Sequence, residues 1–278
     1  MIIAIASGKC GAGKTTLAVS LALTVENSQY LDCAVEAPNG QIFLKPEIEK
    51  QIPVLLPYPR VNDANCDFCG ECAGVCEYGA IAVREKQVLI FDDLCRSCGA
   101  CLMLCPSKTM YEVKLEIGVI EIGHSETAAF GAGILKSGST RARPLIGELK
   151  KRLDPSKNVI IDAPPGTSSP AVEAVKDSDF CVLVTEPTRF GLNALRLAVE
   201  MTRETGVPAA IVINRSDGKD DLIVKYARVQ NIPILLQIPQ DRKIAEAYSR
   251  GISPPEFDES YRSVFKSLFR DIQTRVRK

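Results

Sequence analysis

Residues 7–16 read Ser-Gly-Lys-Cys-Gly-Ala-Gly-Lys-Thr-Thr, between an apolar run at 2–6 and a helix-like stretch at 17–25. A strand that enters a glycine-rich turn and leaves it as a helix turns backbone N–H groups and a helix N-terminus toward phosphate. The pattern G-x-x-x-x-G-K-[ST] is met from Gly8 to Thr15. Gly8, Gly11 and Gly13 let the backbone wrap closely, Lys14 reaches the β- and γ-phosphates, and the Thr15 hydroxyl is placed to ligate Mg²⁺. The expected nucleotide-binding set in this turn is Gly8, Lys9, Cys10, Gly11, Ala12, Gly13, Lys14, Thr15 and Thr16.

The chain of 278 residues is 46% hydrophobic, enough for one large domain or two smaller ones. Its 34 basic and 34 acidic residues balance, so no overall field favours nucleic acid or an anionic membrane. No apolar run of about 18 residues marks a membrane span. The N-terminal strand leads straight into the glycine turn without a charged-then-apolar leader, and a cytoplasmic protein is expected.

Eight of the eleven cysteines form two tight groups. Cys66–Cys76 has the spacing C-x-x-C-x-x-C-x-x-x-C, and Cys95–Cys105 repeats it 29 residues later, followed by Pro106. This is the signature of a bacterial two-cluster ferredoxin, in which the fourth cysteine of each run ligates the other cluster. Cys66, Cys69, Cys72 and Cys105 are expected to hold one [4Fe–4S] cluster, and Cys95, Cys98, Cys101 and Cys76 the second. Between the runs, 80–83 and 88–91 read as the strands of a hairpin, and Gly70, Gly74 and Gly99 leave room for backbone near the sulfides. Zinc is the rival reading, although its sites use paired C-x-x-C units. Glu77 stands where the pattern prefers proline. Of the other cysteines, Cys181 reads as a buried small hydrophobe.

Elsewhere, apolar runs alternate with helical patterns. Strands are expected at 30–32, 113–123, 159–162, 180–185, 209–214 and 232–238, and helices at 145–153, 192–204, 220–229 and 259–276. Runs apolar on both faces imply a doubly wound, mainly parallel α/β sheet. The stretch 52–59 is extended and proline-rich, as at a boundary. The strand 159–162 ends in Asp162, followed by Pro-Pro-Gly-Thr; a strand-tip aspartate can hold Mg²⁺ through water while the next loop senses a γ-phosphate. The segment 137–143, SGSTRAR, reads as a solvated basic turn, with contact to nucleotide, a partner subunit or a redox partner as the alternative. His124 has no second histidine to pair with and reads as a surface residue. In the last helix, Val264, Leu268, Phe269, Ile272 and Val276 mark an apolar face suited to docking on the core, ahead of Arg275, Arg277 and Lys278.

The second lysine of the turn, Lys9, resembles the signature of the MinD, ParA and nitrogenase iron-protein superfamily, whose P-loop is called deviant. The resemblance covers nearly the whole chain and implies a MinD-like P-loop ATPase over 1–58 and 115–278, with a small α+β ferredoxin-like domain inserted at 59–114. It implies that Lys9 reaches the nucleotide of a partner subunit, in an ATP-dependent homodimer or homologous heterodimer. Lys9, Lys14, Asp32 and Asp162 take the catalytic roles, the two aspartates marking the nucleotide-sensing switches. Asn214 reads the adenine edge, and Pro239, Gln240 and Asp241 back the base and ribose.

Two positions depart from the superfamily: Cys10 stands where glycine is usual, and Ala34 where an aspartate positions the attacking water. Poor hydrolysis, substitution by Glu36, or a change introduced to trap ATP all fit Ala34. The implied function is an Mg²⁺- and ATP-dependent iron–sulfur protein, in which dimer closure is coupled to electron transfer with an unknown redox or cluster-accepting partner. The alternatives are an iron–sulfur cluster or metal carrier, and a MinD-like positional switch, for which the last helix would have to lie on a membrane.

Overall fold

The computed structural model describes residues 1–276. Arg277 and Lys278, assigned from sequence to the basic end of the last helix, lie outside the described residues. In the first part of the chain, β1 (Ile2–Ala6), α1 (Lys14–Thr24), β2 (Ser28–Asp32), α2 (Gly40–Leu44) and the long β3 (Glu47–Val61) succeed one another. A short 3₁₀ turn at Asp63–Asn65 precedes α3 (Glu71–Gly74), β4 (Ile81–Arg84), β5 (Gln87–Ile90) and α4 (Ala100–Met103). There follow β6 (Met110–His124), β7 (Ala128–Leu135), α5 (Ala142–Lys150), β8 (Asn158–Asp162), α6 (Ser169–Val175), β9 (Phe180–Thr185) and α7 (Arg189–Glu204). The chain continues through β10 (Ala209–Ser216), α8 (Asp221–Gln230), β11 (Ile234–Pro239), α9 (Arg242–Ser249), α10 (Pro254–Phe257) and α11 (Glu259–Val276).

The main sheet has nine strands in the order β11-β10-β9-β1-β8-β2-β7-β6-β3. From β11 to β7 every neighbouring pair is parallel. Burial on both faces explains why these strands read as continuous apolar runs: Ile3, Ile5, Val159–Ile161 and Cys181–Leu183 are wholly inaccessible to solvent. β8 lies between β1 and β2, with Asp162 opposite Ile5 on one side and Asp32 on the other. Strand order therefore sets the two aspartates side by side at the carboxyl ends, where open α/β sheets bind ligands.

On one face Leu17 and Leu21 of α1 pack in a core with Ile160, Val182 and, from α11, Phe265, Leu268 and Ile272. The last helix thus docks as expected. Its apolar face is centred on Phe265, a residue the sequence pattern passed over for the half-buried Val264.

The chain divides into two compact units: Met1–Ile52, Ile120–Ile134 and Ala142–Lys278 form one, and Pro53–Val119 with Leu135–Arg141 the other. The second unit is wider than 59–114, because the division falls inside β3 and β6, two 15-residue strands. The stretch 52–59 is extended, as part of β3, and the division between the units falls at its start, between Ile52 and Pro53. Within the second unit, β4 and β5 pair as an antiparallel hairpin from Ile81 opposite Ile90 to Arg84 opposite Gln87. α3 and α4 each start from a glycine in the left-handed region, Gly70 at φ 84° and Gly99 at φ 76°. Cys72, Ile81, Val88, Cys101 and Met110 are buried together there.

The segment 137–143 is an exposed turn at Ser137 and Gly138, with Thr140 and Arg143 also exposed, but it is not solvated throughout: Arg141 is only 6% exposed, and α5 begins at Ala142.

Candidate functional site: a phosphate cradle and two cysteine-lined cavities

β1 delivers Ser7 to the start of the glycine turn, and α1 begins at Lys14 with Gly13 as its N-cap at φ 99°. Two glycines are required by what lies against them. A Cβ on Gly8 would sit 1.9 Å from the Ala194 carbonyl oxygen of α7, and one on Gly13 would sit 2.1 Å from Asn214 Nδ2. Cys10 keeps φ outside the left-handed region and is exposed, so the turn tolerates its side chain.

Ser7 organises the turn, donating from Oγ to the Lys9 carbonyl (2.6 Å) and accepting from Lys14 Nζ (3.1 Å). Lys14 is buried, which lowers its pKa below that of an ordinary lysine, against the pull of Asp162. Thr15 Oγ1 donates to Asp162 Oδ2 at 2.6 Å, and the Tyr30 hydroxyl donates to the same oxygen at 3.0 Å. Asp162 Oδ1 is buried without a hydrogen-bond partner. A buried carboxylate oxygen left free beside a threonine hydroxyl fits a hard divalent cation, which takes oxygen ligands. Asp32 accepts from the backbone N–H groups of Ala34 (3.1 Å) and Gly40 (2.9 Å). Burial, and then the neighbouring Asp162 charge, push its pKa up to about 7. Asp162 is likewise raised by burial, against the hydrogen bond from Thr15 and the charge of Lys14.

Lys14 and Thr15 open onto a cavity of about 1190 Å³ lined by Cys10, Gly11, Gly13 to Thr16, Ala34, Glu36, Asn214, and Pro239 to Asp241 among others; Asp32 and Asp162 lie behind its wall. Six of the nine expected turn residues, all but Gly8, Lys9 and Ala12, line this cavity together with Asn214 and Pro239 to Asp241. Asn214 Nδ2 donates to the Ala12 carbonyl at 2.9 Å, tying the tip of β10 to the phosphate turn. Asp241 caps α9 by accepting from the Lys243 N–H at 2.8 Å. The structure holds Lys9 within its own chain. Its ammonium pairs with Glu186 and lies 5.6 Å from the centre of the Phe190 ring. The second Glu186 oxygen accepts from Arg215 at 2.5 Å. Glu186 and Tyr30 were missed in the sequence. The only local signal for Glu186 was its place directly after an apolar strand run, where strand-tip carboxylates sit.

In the second unit, one cavity is lined by Cys66, Cys69, Cys72 and Cys105, and another by Cys76, Cys95, Cys98 and Cys101. The remaining lining is largely apolar, with Val83, Val88 and Met110 in the first and Val75, Ile81 and Leu102 in the second. Backbone N–H groups aim at three sulfurs: Phe68 at Cys66 (3.4 Å), Ala80 at Cys76 (3.3 Å) and Ser97 at Cys95 (3.4 Å). Burial raises the Cys105 thiol, but hydrogen bonds from Thr109 and Ser107 outweigh it and bring the group down to about 7. Burial, with the Cys95 charge adding to it, pushes Cys101 up to about 11. Among the described residues, no three or more Cys, His, Asp or Glu side chains are gathered as a site for a single metal ion. His124 is exposed and bonds through Nδ1 to Glu49 at 2.8 Å, away from any ligand set. Cys33 and Cys181 are fully buried.

The fold and the phosphate cradle define a P-loop nucleotide-binding domain of the doubly wound α/β class. Residues 3–254 match the family of CobQ/CobB/MinD/ParA nucleotide binding domains, and the chain belongs to this family. An uncharacterized protein of Methanocaldococcus jannaschii is 30% identical over 275 residues, 96% of each chain. The polyferredoxin protein MvhB of Methanothermus fervidus is 36% identical over 61 residues, 21% of this chain and 15% of that protein. Among solved structures, the cell division ATPase MinD of Pyrococcus furiosus superposes with a TM-score of 0.61 at 19% identity, over 98% of both chains. The septum site-determining protein MinD of Pyrococcus horikoshii, complexed with Mg-ADP, gives 0.58 at 19% identity, over 96% of this chain and 93% of that one. No helix among the described residues is long and apolar enough to cross a membrane.

Proposed function

We propose that this chain is an Mg²⁺- and ATP-dependent iron–sulfur redox protein: a MinD-like ATPase unit joined to a two-cluster ferredoxin unit. The observation that carries the reading is the partition of the eight cysteines. Each of the two cavities is lined by three cysteines of one run and the fourth of the other, the crossed sets that two [4Fe–4S] clusters require. The short likeness to a polyferredoxin supports it, as does the Mg-ADP held by the Pyrococcus horikoshii relative.

Cys66, Cys69, Cys72 and Cys105 hold one cluster, and Cys76, Cys95, Cys98 and Cys101 the other. The clusters, when bound, supply one-electron transfer. Cys72, Cys95 and Cys101 are buried against the apolar lining while Cys69 and Cys98 stay exposed, and the N–H groups of Phe68, Ala80 and Ser97 disperse thiolate charge; solvent exposure and sulfur hydrogen bonding are two of the levers that set such potentials. In the ATPase unit, the N–H groups at the start of α1 and the Lys14 ammonium hold phosphate, while Thr15 and Asp162 hold Mg²⁺. Asp32 and Asp162, adjacent strand tips, carry the state of the γ-phosphate into the loops that follow them. Ala34 brings no carboxylate to this cavity, whereas Glu36 does. Nucleotide binding favours one of two arrangements, and the clusters respond to that choice.

The test is an anaerobic redox titration followed by electron paramagnetic resonance, with and without Mg-ATP. A tenfold change in the reduction equilibrium, about 59 mV for a one-electron couple and about 1.4 kcal/mol of coupling, is the expected result. A protein that takes up no iron under reducing reconstitution sinks the iron–sulfur reading. Midpoints indifferent to Mg-ATP sink the coupling.

A further inference from the structure

Arg141 is a buried cation without a counter-ion among the described residues. It is 6% exposed, and none of their carboxylates lies within ion-pairing distance. Of the two acids just ahead of Cys95, Asp92 has both oxygens on the Arg60 guanidinium at 2.8 Å, and Asp93 is exposed and makes no ion pair with Arg141. Arg141 Nε is buried with no partner at all. Its Nη1 donates to the backbone carbonyl of Cys95 at 3.0 Å. The residue before it, Thr140, donates from Oγ1 to the Asp93 carbonyl at 3.3 Å, and the Arg141 N–H donates to Ser139 Oγ at 3.3 Å. Two consecutive residues of the Leu135–Arg141 segment thus grip two carbonyls of the strip that presents Cys95.

A guanidinium taken out of water without an anion is strongly unfavourable, and one neutral hydrogen bond does not offset it. An anionic group bound by the unit would supply the missing negative charge. Cys95 lines the cavity whose other thiols are Cys76, Cys98 and Cys101. Four thiolates around a [4Fe–4S] core leave that group net anionic, and more so after it accepts an electron.

We propose that Arg141 is the counter-cation of the group held by Cys76, Cys95, Cys98 and Cys101, a positioning residue that makes that cluster easier to reduce than its partner would be in the same setting. The proposal rests on the iron–sulfur reading. A positive charge fixed behind one ligand stabilises the extra electron when an external reductant supplies it, with no bond made or broken and no proton moved. The other quartet lacks this device, since no arginine hydrogen-bonds to the carbonyls of Cys66, Cys69, Cys72 or Cys105 among the described residues.

The experiment compares wild type, Arg141→Gln and Arg141→Lys in the reconstituted full-length chain, by iron content and by anaerobic titration with paramagnetic resonance. Gln keeps a donor to the Cys95 carbonyl but loses the charge, and Lys keeps the charge. The expected result is a tenfold or greater loss in the reduction equilibrium of one cluster in Arg141→Gln, a fall of about 59 mV or more. The other midpoint stays in place, and Arg141→Lys stays near wild type. If Arg141→Gln fails to assemble while Arg141→Lys takes up wild-type iron, the charge is needed for assembly and the proposal stands. It is overturned if Gln and Lys fail alike, if they shift the midpoint equally, or if neither moves it at full iron content. Wild-type protein that binds no iron brings down the underlying reading and this proposal with it, an outcome separate from a loaded protein that ignores Arg141→Gln.

Discussion

At the scale of single residues, the site turns on how two neighbouring aspartates share a buried strand edge. Asp162 gives one oxygen to Thr15 and Tyr30 and keeps the other free, so its substitution should act through the metal rather than through the fold. Asp162→Ala is expected to weaken ATP binding in the presence of Mg²⁺ by roughly 10–100-fold, the usual range for a group that orients a metal's ligands. Calorimetry in EDTA should show nucleotide binding at least as tight as wild type; an equal loss in EDTA would refute a metal role. Asp32 carries a second, pH-dependent consequence. Its folded pKa, raised by burial and by Asp162 to about 7, exceeds its ordinary value of 3.8, so between those values the native state binds more protons than the unfolded chain. Stability of the nucleotide-free protein should therefore fall as pH rises through that window. Thermal unfolding from pH 4 to pH 8 checks this. Asp32→Asn should flatten the curve, and an unchanged slope would count against the assignment.

At the scale of elements, the glycine turn and α11 show where close packing limits change. Gly8→Ala must push against the Ala194 carbonyl of α7, backbone that cannot swing aside. The expected cost is about 1–3 kcal/mol, the range for an overpacked site, read as a lower urea midpoint at constant m-value. Gly11→Ala meets nothing within 4 Å and should cost only the smaller strain of a left-handed alanine at φ 75°. Phe265→Ala empties the contact of α11 with the sheet core, for about 3–5 kcal/mol. Such local features were legible in the sequence, because a P-loop, a C-x-x-C repeat and a doubly apolar strand each occupy a few consecutive residues. The positions of Asp32, Asp162 and the cysteine quartets followed from them. What stayed hidden were partnerships across the chain. Glu186 meets Lys9 from 177 residues away, and Arg141 meets Cys95 from 46, so the exposed 137–143 loop hid one arginine that the fold buries against a carbonyl. Phe265 was passed over for a smaller reason: adjacent apolar residues at 264 and 265 leave the helical face ambiguous by one position.

At the scale of the whole molecule, the P-loop lysine raises a question of state. Lys9 is held on Glu186 of its own chain, whereas the role the superfamily resemblance implies, reaching a partner subunit's nucleotide, would need that ammonium free. Glu186 is 7% exposed and would be costly to strand, but Arg215 already occupies its other oxygen, so the departure of Lys9 leaves the carboxylate paired. If two subunits close on Mg-ATP as the superfamily resemblance implies, closure would exchange the Lys9–Glu186 pair for a contact with the other nucleotide, with the intrachain pair as the competing state. Loosening that pair should favour closure by roughly the value of a charged hydrogen bond, about 1.5–3 kcal/mol. Glu186→Gln is thus expected to dimerise with Mg-ATP at a protein concentration at least tenfold below that required by wild type, since about 1.4 kcal/mol is a factor of ten. Lys9→Ala should remain monomeric at every nucleotide concentration. Sedimentation velocity on the three proteins, with ADP as the control nucleotide, separates the possibilities. If Glu186→Gln needs the same concentration as wild type, the intrachain pair exerts no hold on assembly; if Lys9→Ala dimerises normally, the lysine belongs to its own subunit's site.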